Sequence, residues 1–371
     1  MLQIAANPMS LPGWTVIIAL FIGASIGSFL NVVIYRMPRG LSLGNPKHSF
    51  CPSCKSQLRV PDLIPLLSWL VLRGKCRHCG SKIPSRYFWV ELLTGTLWSG
   101  IYYQYFVVGW QPAQGFAYAL IGACLIAVIF IDWQFYIIPD QINAFMLLVG
   151  ILFNIYLYAS HDARALTWGI PSALAGALTG VITLWSIAFL GRILFRKDAM
   201  GHGDIKMARG VGAVLFPVSA LVSFGLAVIL GAVFGVLQLL LMRSAPREEE
   251  AEDGPEDEFD DSPESLGSLL KCLIGYVFCL DAIGLFFPKF YIAYFGENPF
   301  EAVASADTKD EKLEVGNTTI PFGPYLALGA ILATVFGNEL SKYLSNYWHW
   351  AGGGTVLLEH VRLIVCLLSR G

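Results

Sequence analysis

The sequence predicts an all-α, multi-pass membrane protein with about eight transmembrane helices and a small zinc-ribbon-like domain between the first two spans. Three observations support this fold class. Of 371 residues, 55% are hydrophobic and 14% are charged, whereas soluble domains carry about 25% charged residues. The mean hydropathy is +0.59. Six runs contain no Asp, Glu, Lys or Arg, and most exceed the ~20 residues that a spanning helix needs: 1–35, 92–131, 141–160, 165–191, 210–242 and 315–338. Such runs exclude a soluble domain and the short alternating strands of a β-barrel.

Charge asymmetry orients the first spans. Residues 36–86 carry ten Lys and Arg against one acid, Asp62, and this excess marks a cytoplasmic loop. The N-terminus therefore starts outside. Turn signals, such as the Gly- and Pro-containing stretch Gly109–Gly115, divide the longest run. The first five spans are then about 11–35, 88–108, 116–138, 141–158 and 169–191.

The second half of the chain leaves more than one arrangement open. The run 210–242 predicts either one long helix or a half-helix to Phe216 followed by a span after Pro217. Glu248–Asp261 has the composition of a solvated loop. Residues 269–295 are apolar but interrupted, so a span, a hairpin and an interfacial helix are all open, and we favour a hairpin or an interfacial piece. The last span covers about 320–337, and the amphipathic Val356–Leu368 is expected at the membrane surface.

These elements give the expected domain organisation. It consists of a first transmembrane helix (1–35), a cytoplasmic four-cysteine zinc-binding segment (36–87), a transmembrane core (88–242), an acidic insertion with an apolar segment (243–319), a last transmembrane helix (320–338) and a tail (339–371).

Four cysteines in the cytoplasmic loop form two C-x-x-C pairs, Cys51/Cys54 and Cys76/Cys79. Two such pairs at this separation are typical of a tetrahedral, structural zinc site with no open position for water. The alternative is redox-active pairs or disulfides, which the cytoplasm disfavours. We expect no ligand role for His48 and His78, and the remaining cysteines should be small hydrophobes in apolar surroundings: Cys124, Cys272, Cys279 and Cys366.

Two aspartates stand at the inner ends of apolar runs. Ionisable residues within spans are costly, so each is a candidate functional residue. Asp132 lies two turns before Asp140, and Asp204 lies in M-G-H-G-D-I-K. Two carboxyl groups that share a site can divide acid and base roles. The alternatives are an interfacial position for Asp132, a helix cap at Asp140 and a plain cytoplasmic turn at Asp204.

The motifs together resemble the type IV prepilin peptidases, which are G-x-G-D intramembrane aspartyl proteases. The resemblance rests on the four cysteines and on six blocks in family order: Ile26–Pro38, Ile64–Arg77, Arg86–Gly95, Asp132–Asp140, Gly201–Lys206 and Ile320–Gly329. The insertion 243–319 and the tail depart from the family pattern, which affects the expected topology and partners rather than the chemistry.

The resemblance implies a bifunctional enzyme of the bacterial cytoplasmic (inner) membrane. It implies that Asp132 and Asp204 are catalytic, with Asp140 as the alternative first carboxylate. Gly201, Gly203 and Lys206 would form a substrate-approach loop. Such enzymes cut the basic leader of prepilins or pseudopilins after glycine on the cytoplasmic side. Many then methylate the new N-terminus with S-adenosylmethionine, and the zinc-binding cysteines are typical of these members.

Other functions compete with the peptidase. A non-catalytic zinc-ribbon scaffold of pilus or secretion assembly would leave both aspartates dispensable. A proton-coupled transporter is disfavoured because no duplicated halves are present, and a thiol oxidoreductase is the remaining alternative. The expected partners are prepilins and membrane lipid, with anionic headgroups meeting the basic loop, and no nucleic acid.

Overall fold

The structure is a computed structural model that describes residues 12–45, 48–51, 53–196, 200–242, 265–296, 298, 300 and 321–350. Eleven α-helices lie within these residues: α1 (Thr15–Arg36), α2 (Leu67–Val71), α3 (Arg86–Tyr102), α4 (Pro112–Phe135), α5 (Asp140–Ala159), α6 (Ser172–Phe195), α7 (His202–Met242), α8 (Leu266–Val277), α9 (Leu280–Gly284), α10 (Pro288–Phe295) and α11 (Gly323–Trp350). Two-residue strands, β1 (Leu166–Thr167) and β2 (Ile170–Pro171), pair as a small antiparallel hairpin before α6.

Among the residues that the structure describes, five helices are long and apolar enough to cross a membrane, namely α1, α4, α5, α6 and α7. The bounds of α1, α4, α5 and α6 lie within a few residues of the predicted spans, because apolar runs end where polar or turn-forming residues begin. Helix α7 instead begins at His202, well before the predicted run 210–242. The second predicted span, 88–108, corresponds to α3 and a π-helical turn, Tyr103–Val108, that continues it. The chain is thus a multi-pass, helical membrane protein.

Glycines bring two pairs of helices into close contact. On α1, Gly23 and Gly27 face α3, where a Cβ at Gly27 would lie 2.7 Å from Cα of Glu91. Gly176 and Gly180, one turn apart on α6, face the backbone carbonyls of Gly212 and Ala208 on α7. Small residues four apart allow helix backbones to approach closely in membranes. This packing fixes α7 against α6.

Helix α7 is broken in its middle. Phe216 has φ 64° and ψ 170°, and Pro217 follows it. Proline has no N–H to donate and restricts the residue before it to non-helical conformations. Of the two arrangements expected for 210–242, the structure has the half-helix to Phe216 followed by a second helical part.

The apolar part of the insertion folds as the three short helices α8, α9 and α10, of 12, 5 and 8 residues. A helix of 12 residues is about 18 Å long, well below the ~30 Å hydrocarbon core. The apolar part of α11, Gly323–Gly337, lies at the position of the predicted last span, and the helix itself continues to Trp350. The predictions for Glu248–Asp261, Cys366 and Val356–Leu368 lie outside the described residues.

Candidate active site

Asp132 lies in the last turn of α4. The helix ends at Tyr136, which has φ 56° and donates its N–H to the carbonyl of Asp132 at 3.0 Å. The side chain of Asp132 is only 5% exposed. It accepts a hydrogen bond from the backbone N–H of Gly323, at the start of α11. Asp132 is therefore a buried carboxyl group that faces the N-terminal end of another helix.

Asp204 lies in the first turn of α7 and is 8% exposed. Its own N–H donates to the carbonyl of Gly201 at 3.2 Å. Its Oδ1 atom is buried and has no hydrogen-bond partner in the part of the chain that the structure describes. Buried polar atoms are almost always paired. An unpaired carboxylate oxygen at this position is therefore available to a water molecule or a substrate.

The structure brings the two aspartates together. The carboxyl group of Asp204 lies near enough to that of Asp132 for the two to interact electrostatically. Ile138, in the turn between α4 and α5, packs against both neighbouring glycines: a Cβ at Gly203 would lie 3.1 Å from its Cβ, and one at Gly323 would lie 3.0 Å from its Cδ1. The end of α4 and the starts of α7 and α11 thus converge, and each helix start directs its positive end toward the carboxyl pair.

Glycines leave room around both carboxyl groups. A Cβ at Gly323 would collide with Oδ2 of Asp132, and one at Gly201 would lie 3.3 Å from Oδ2 of Asp204. Gly323 had no role assigned from the sequence, although the I-P-F-G-P-Y block contains it. Its position in that block was the signal that could have identified it.

Asp140 lies outside this carboxyl pair. Both of its oxygens accept from Nζ of Lys206 at 2.9 Å, and the hydroxyl of Tyr291 also donates to it. Lys206 is 5% exposed and is enclosed by aromatic rings, including those of Tyr276 and Phe295. Asp140 and Lys206 therefore neutralise each other in the interior, and a role of Lys206 in the substrate-approach loop stays a prediction.

Two arginines of the predicted headgroup-binding loop instead hold the end of α4. Arg86 donates to the side-chain oxygen of Gln134 at 2.5 Å. The guanidinium of Arg39 lies 5.2 Å from the ring centroid of Phe135, and Arg39 is buried. Cations near a helix C-terminus are stabilising. Arg39 and the similarly buried Arg36 are therefore not exposed to lipid headgroups, and the contact expected for the basic loop as a whole stays a prediction.

The four loop cysteines form a compact cluster. Their Sγ atoms all lie within 4.8 Å of one another, and those of Cys51 and Cys79 are 3.9 Å apart. Four thiolates bound tetrahedrally to zinc at about 2.3 Å would be about 3.8 Å apart. All four are free thiols. Neither His48 nor His78 joins the group among the residues described. The donor set therefore fits a tetrahedral metal ion.

The two C-x-x-C pairs have the same local structure. In each, the first cysteine donates its N–H to the carbonyl of a serine five positions later, Cys51 to Ser56 at 3.0 Å and Cys76 to Ser81 at 2.9 Å. The residue before each serine has positive φ. Burial disfavours the thiolate of Cys51, but backbone N–H groups of the turn and the Ser81 hydroxyl outweigh it, lowering the pKa of Cys51 to about 6. Sequence reasoning missed the two serines.

Comparison with known proteins relates these features to one enzyme family. Residues 21–105 match a model described as the bacterial peptidase A24 N-terminal domain, and residues 119–236 match the type IV leader peptidase family. A prepilin leader peptidase/N-methyltransferase of Stutzerimonas stutzeri is 34% identical over 269 residues, covering 65% of this chain and 86% of the relative.

Further relatives carry the same name. The Myxococcus xanthus protein is 32% identical over 344 residues, or 90% of this chain and 95% of the relative. The Neisseria gonorrhoeae protein is 32% identical over 262 residues, or 64% of this chain and 84% of the relative. No solved structure matches the chain.

Proposed function

The chain belongs to the prepilin leader peptidase/N-methyltransferase family, and we propose that Asp132 and Asp204 are the carboxyl pair that cleaves the leader of prepilins or pseudopilins. The meeting of two buried aspartates at three helix ends carries this proposal. Cleavage would follow a glycine at the cytoplasmic face of a bacterial inner membrane, where the charge asymmetry of the sequence puts both residues.

The proposed chemistry needs one negative charge on the pair. Two carboxyl groups that lie in one site can share a proton, and the ionisation then belongs to the pair rather than to either residue. The N-terminal ends of α7 and α11 stabilise that single charge. The ionised group takes a proton from water as the water oxygen attacks the scissile carbonyl carbon, and the protonated group donates to the carbonyl oxygen. Collapse of the resulting diol breaks the C–N bond, and the amine leaves with a proton from the pair.

Asp140 has a different role in this proposal. Its oxygens are already bound by Lys206 and Tyr291, so it cannot activate water without breaking a buried ion pair. The glycines Gly201 and Gly203 give the substrate strand close access to Asp204, because they present no side chain there. The substrate's own apolar helix would lie in the bilayer beside the enzyme.

The finer architecture is part of the proposal. Adding α3 and α11 to the five long helices, and counting the two parts of α7 separately, gives about eight membrane segments. The domain bounds are those stated from the sequence, with Cys51, Cys54, Cys76 and Cys79 holding a structural zinc ion on the cytoplasmic side. Zinc would fold a loop that has few large apolar residues of its own. S-adenosylmethionine would supply the methyl group for the new N-terminal amine.

A purified, detergent-solubilised chain tests the proposal against a synthetic prepilin, with products identified by mass spectrometry. We expect Asp132→Asn and Asp204→Asn to lose cleavage, while Asp140→Asn retains a reduced rate. If Asp140→Asn is inactive and Asp132→Asn is active, the first carboxyl group is assigned wrongly. If a folded, zinc-loaded wild type is as inactive as its variants, the scaffold function replaces the peptidase.

A further inference from the structure

The segment 265–296, here called the α8–α10 segment, packs against the beginning of α7. It contacts α7 through three polar side chains, His202, Lys206 and Arg209. These positions follow a helical spacing of four and three residues, so they lie on one face. The segment therefore contacts one side of the helix that carries Asp204.

Two tyrosine hydroxyls make the contacts closest to Asp204. The hydroxyl of Tyr276 lies 2.8 Å from Nδ1 of His202, two residues before Asp204. The hydroxyl of Tyr291 lies 2.9 Å from Nζ of Lys206, two residues after it, and also donates to Asp140. Both tyrosines are fully buried.

A buried ion pair fixes the next turn of α7. Arg209 forms two hydrogen bonds of 2.6 Å with the carboxylate of Asp281, and its Nη1 also donates to the carbonyl of Tyr276 at 2.9 Å. The two side chains of the pair are 2% and 3% exposed. A planar guanidinium bound on two sides has little freedom to rotate. The contact therefore sets the direction of this face of α7.

Asp204 lies on the other side of the helix. At about 100° per residue, the three positions that the segment contacts on α7 fall within an arc of about 60°, and Asp204 is about 140–160° away from each of them. The contacts on one side of α7 thus fix the rotation of the helix about its axis. That rotation sets the position of the Asp204 carboxyl group on the other side. A rotation of about 20° would move a side-chain end about 5–6 Å from the axis by about 2 Å.

We propose that the α8–α10 segment is a positioning element for Asp204, with Tyr276 and Tyr291 as its positioning residues. The inference rests on the proposed function, because it assigns Asp204 to the reaction. The segment holds the helix in the rotation that directs Asp204 toward Asp132. It acts on the chemical step, since the contacts given above act on the helix that carries Asp204 through His202, Lys206 and Arg209.

The test uses Tyr276→Phe, Tyr291→Phe and the double variant in the full chain, because phenylalanine keeps the ring and removes only the hydroxyl. Tyr294→Phe is the matched control: its hydroxyl donates to the carbonyl of Lys271 at 2.9 Å, within the same segment and away from α7. For the double variant we expect kcat to fall about 10- to 100-fold, since a misplacement of about 1 Å can cost about 100-fold. KM of the double variant should stay within about twofold of the wild-type value, and kcat of the control should also stay within about twofold of the wild-type value.

Two kinetic results would overturn the inference. One is an unchanged kcat in the double variant beside an active wild type; the other is a change confined to KM. Hydrogen exchange at the amides of residues 203–210 is the second readout. It should be faster in the double variant than in Tyr294→Phe, and equal exchange in the two contradicts the proposal even if the wild type cuts no prepilin. Failure of the proposed function shows separately, as a wild type no more active than Asp204→Asn.

Discussion

Replacing Gly323 by alanine tests how closely α11 supports the active site. The glycine N–H donates to Asp132, and an added Cβ would collide with Oδ2 of that carboxyl group. It would also lie 3.0 Å from Cδ1 of Ile138 and 3.1 Å from Cγ of Asp132. Carbon atoms in contact prefer about 3.5–4.0 Å, so Asp132 or Ile138 must retreat by about 0.5 Å or more.

The expected effect is large on catalysis and moderate on stability. Overpacking of this kind costs about 1–3 kcal/mol in folding free energy. Displacement of a catalytic group by about 1 Å reduces the rate by about 100-fold. We therefore expect Gly323→Ala to remain folded and to cut prepilin about 100-fold more slowly than the wild type.

Single-turnover cleavage and thermal unfolding in detergent measure the two effects. Gly337→Ala is the matched control, because this glycine lies on the same helix and a Cβ there would meet nothing within 4 Å. Alanine is favoured over glycine in helices by about 1 kcal/mol, so the control should keep its activity and its stability. A Gly323→Ala rate within about threefold of the wild type would refute the reasoning.

Three further predictions concern ion pairs and the cysteine cluster. Lys206→Met leaves Asp140 buried without its ion-pair partner and should cost about 3–5 kcal/mol of stability. In thermal unfolding, adding Asp140→Asn to this variant should recover part of the lost stability. An additive loss in the double variant would contradict the pairing. Cys76→Ser should abolish stoichiometric zinc, measured by elemental analysis, whereas retained zinc would exclude the four-thiolate site. Hydrogen bonds from Arg164 lower the pKa of Asp162 to about 2. Because the pKa of Asp162 is depressed in the folded state, its carboxylate stabilises the fold above about pH 4, and this stabilisation is lost as pH falls toward 2. It is absent in Asp162→Asn. A difference in folding stability between the wild type and Asp162→Asn that does not change with pH would be inconsistent with this.

The sequence predicted the long helices well because the bilayer imposes a simple rule on them. A span must be apolar for about 20 residues, and turn-forming residues mark its ends. The break at Pro217 was one of two predicted arrangements because proline acts locally on the residue before it. The continuation of α11 to Trp350 was not predicted, since composition alone does not show where a helix continues beyond the apolar run.

The candidate site was predictable only where its signal was local. Asp132 and Asp204 stand out because a carboxyl group interrupts or borders an apolar run. The pairing of Asp140 with Lys206 joins residues 66 positions apart, and that of Arg209 with Asp281 joins residues 72 apart. Such partners follow from how the helices assemble, and nothing in the adjacent sequence indicates them.

The most direct test of the central claim is the cleavage rate of Asp132→Asn, Asp204→Asn and the double variant, measured with excess enzyme over prepilin. Residues that act as one catalytic unit show strongly non-additive losses. The two single variants and the double variant should therefore share the same residual rate. If the double variant is slower than the wild type by the product of the two separate losses, the two aspartates act independently, and the catalytic pair is wrong.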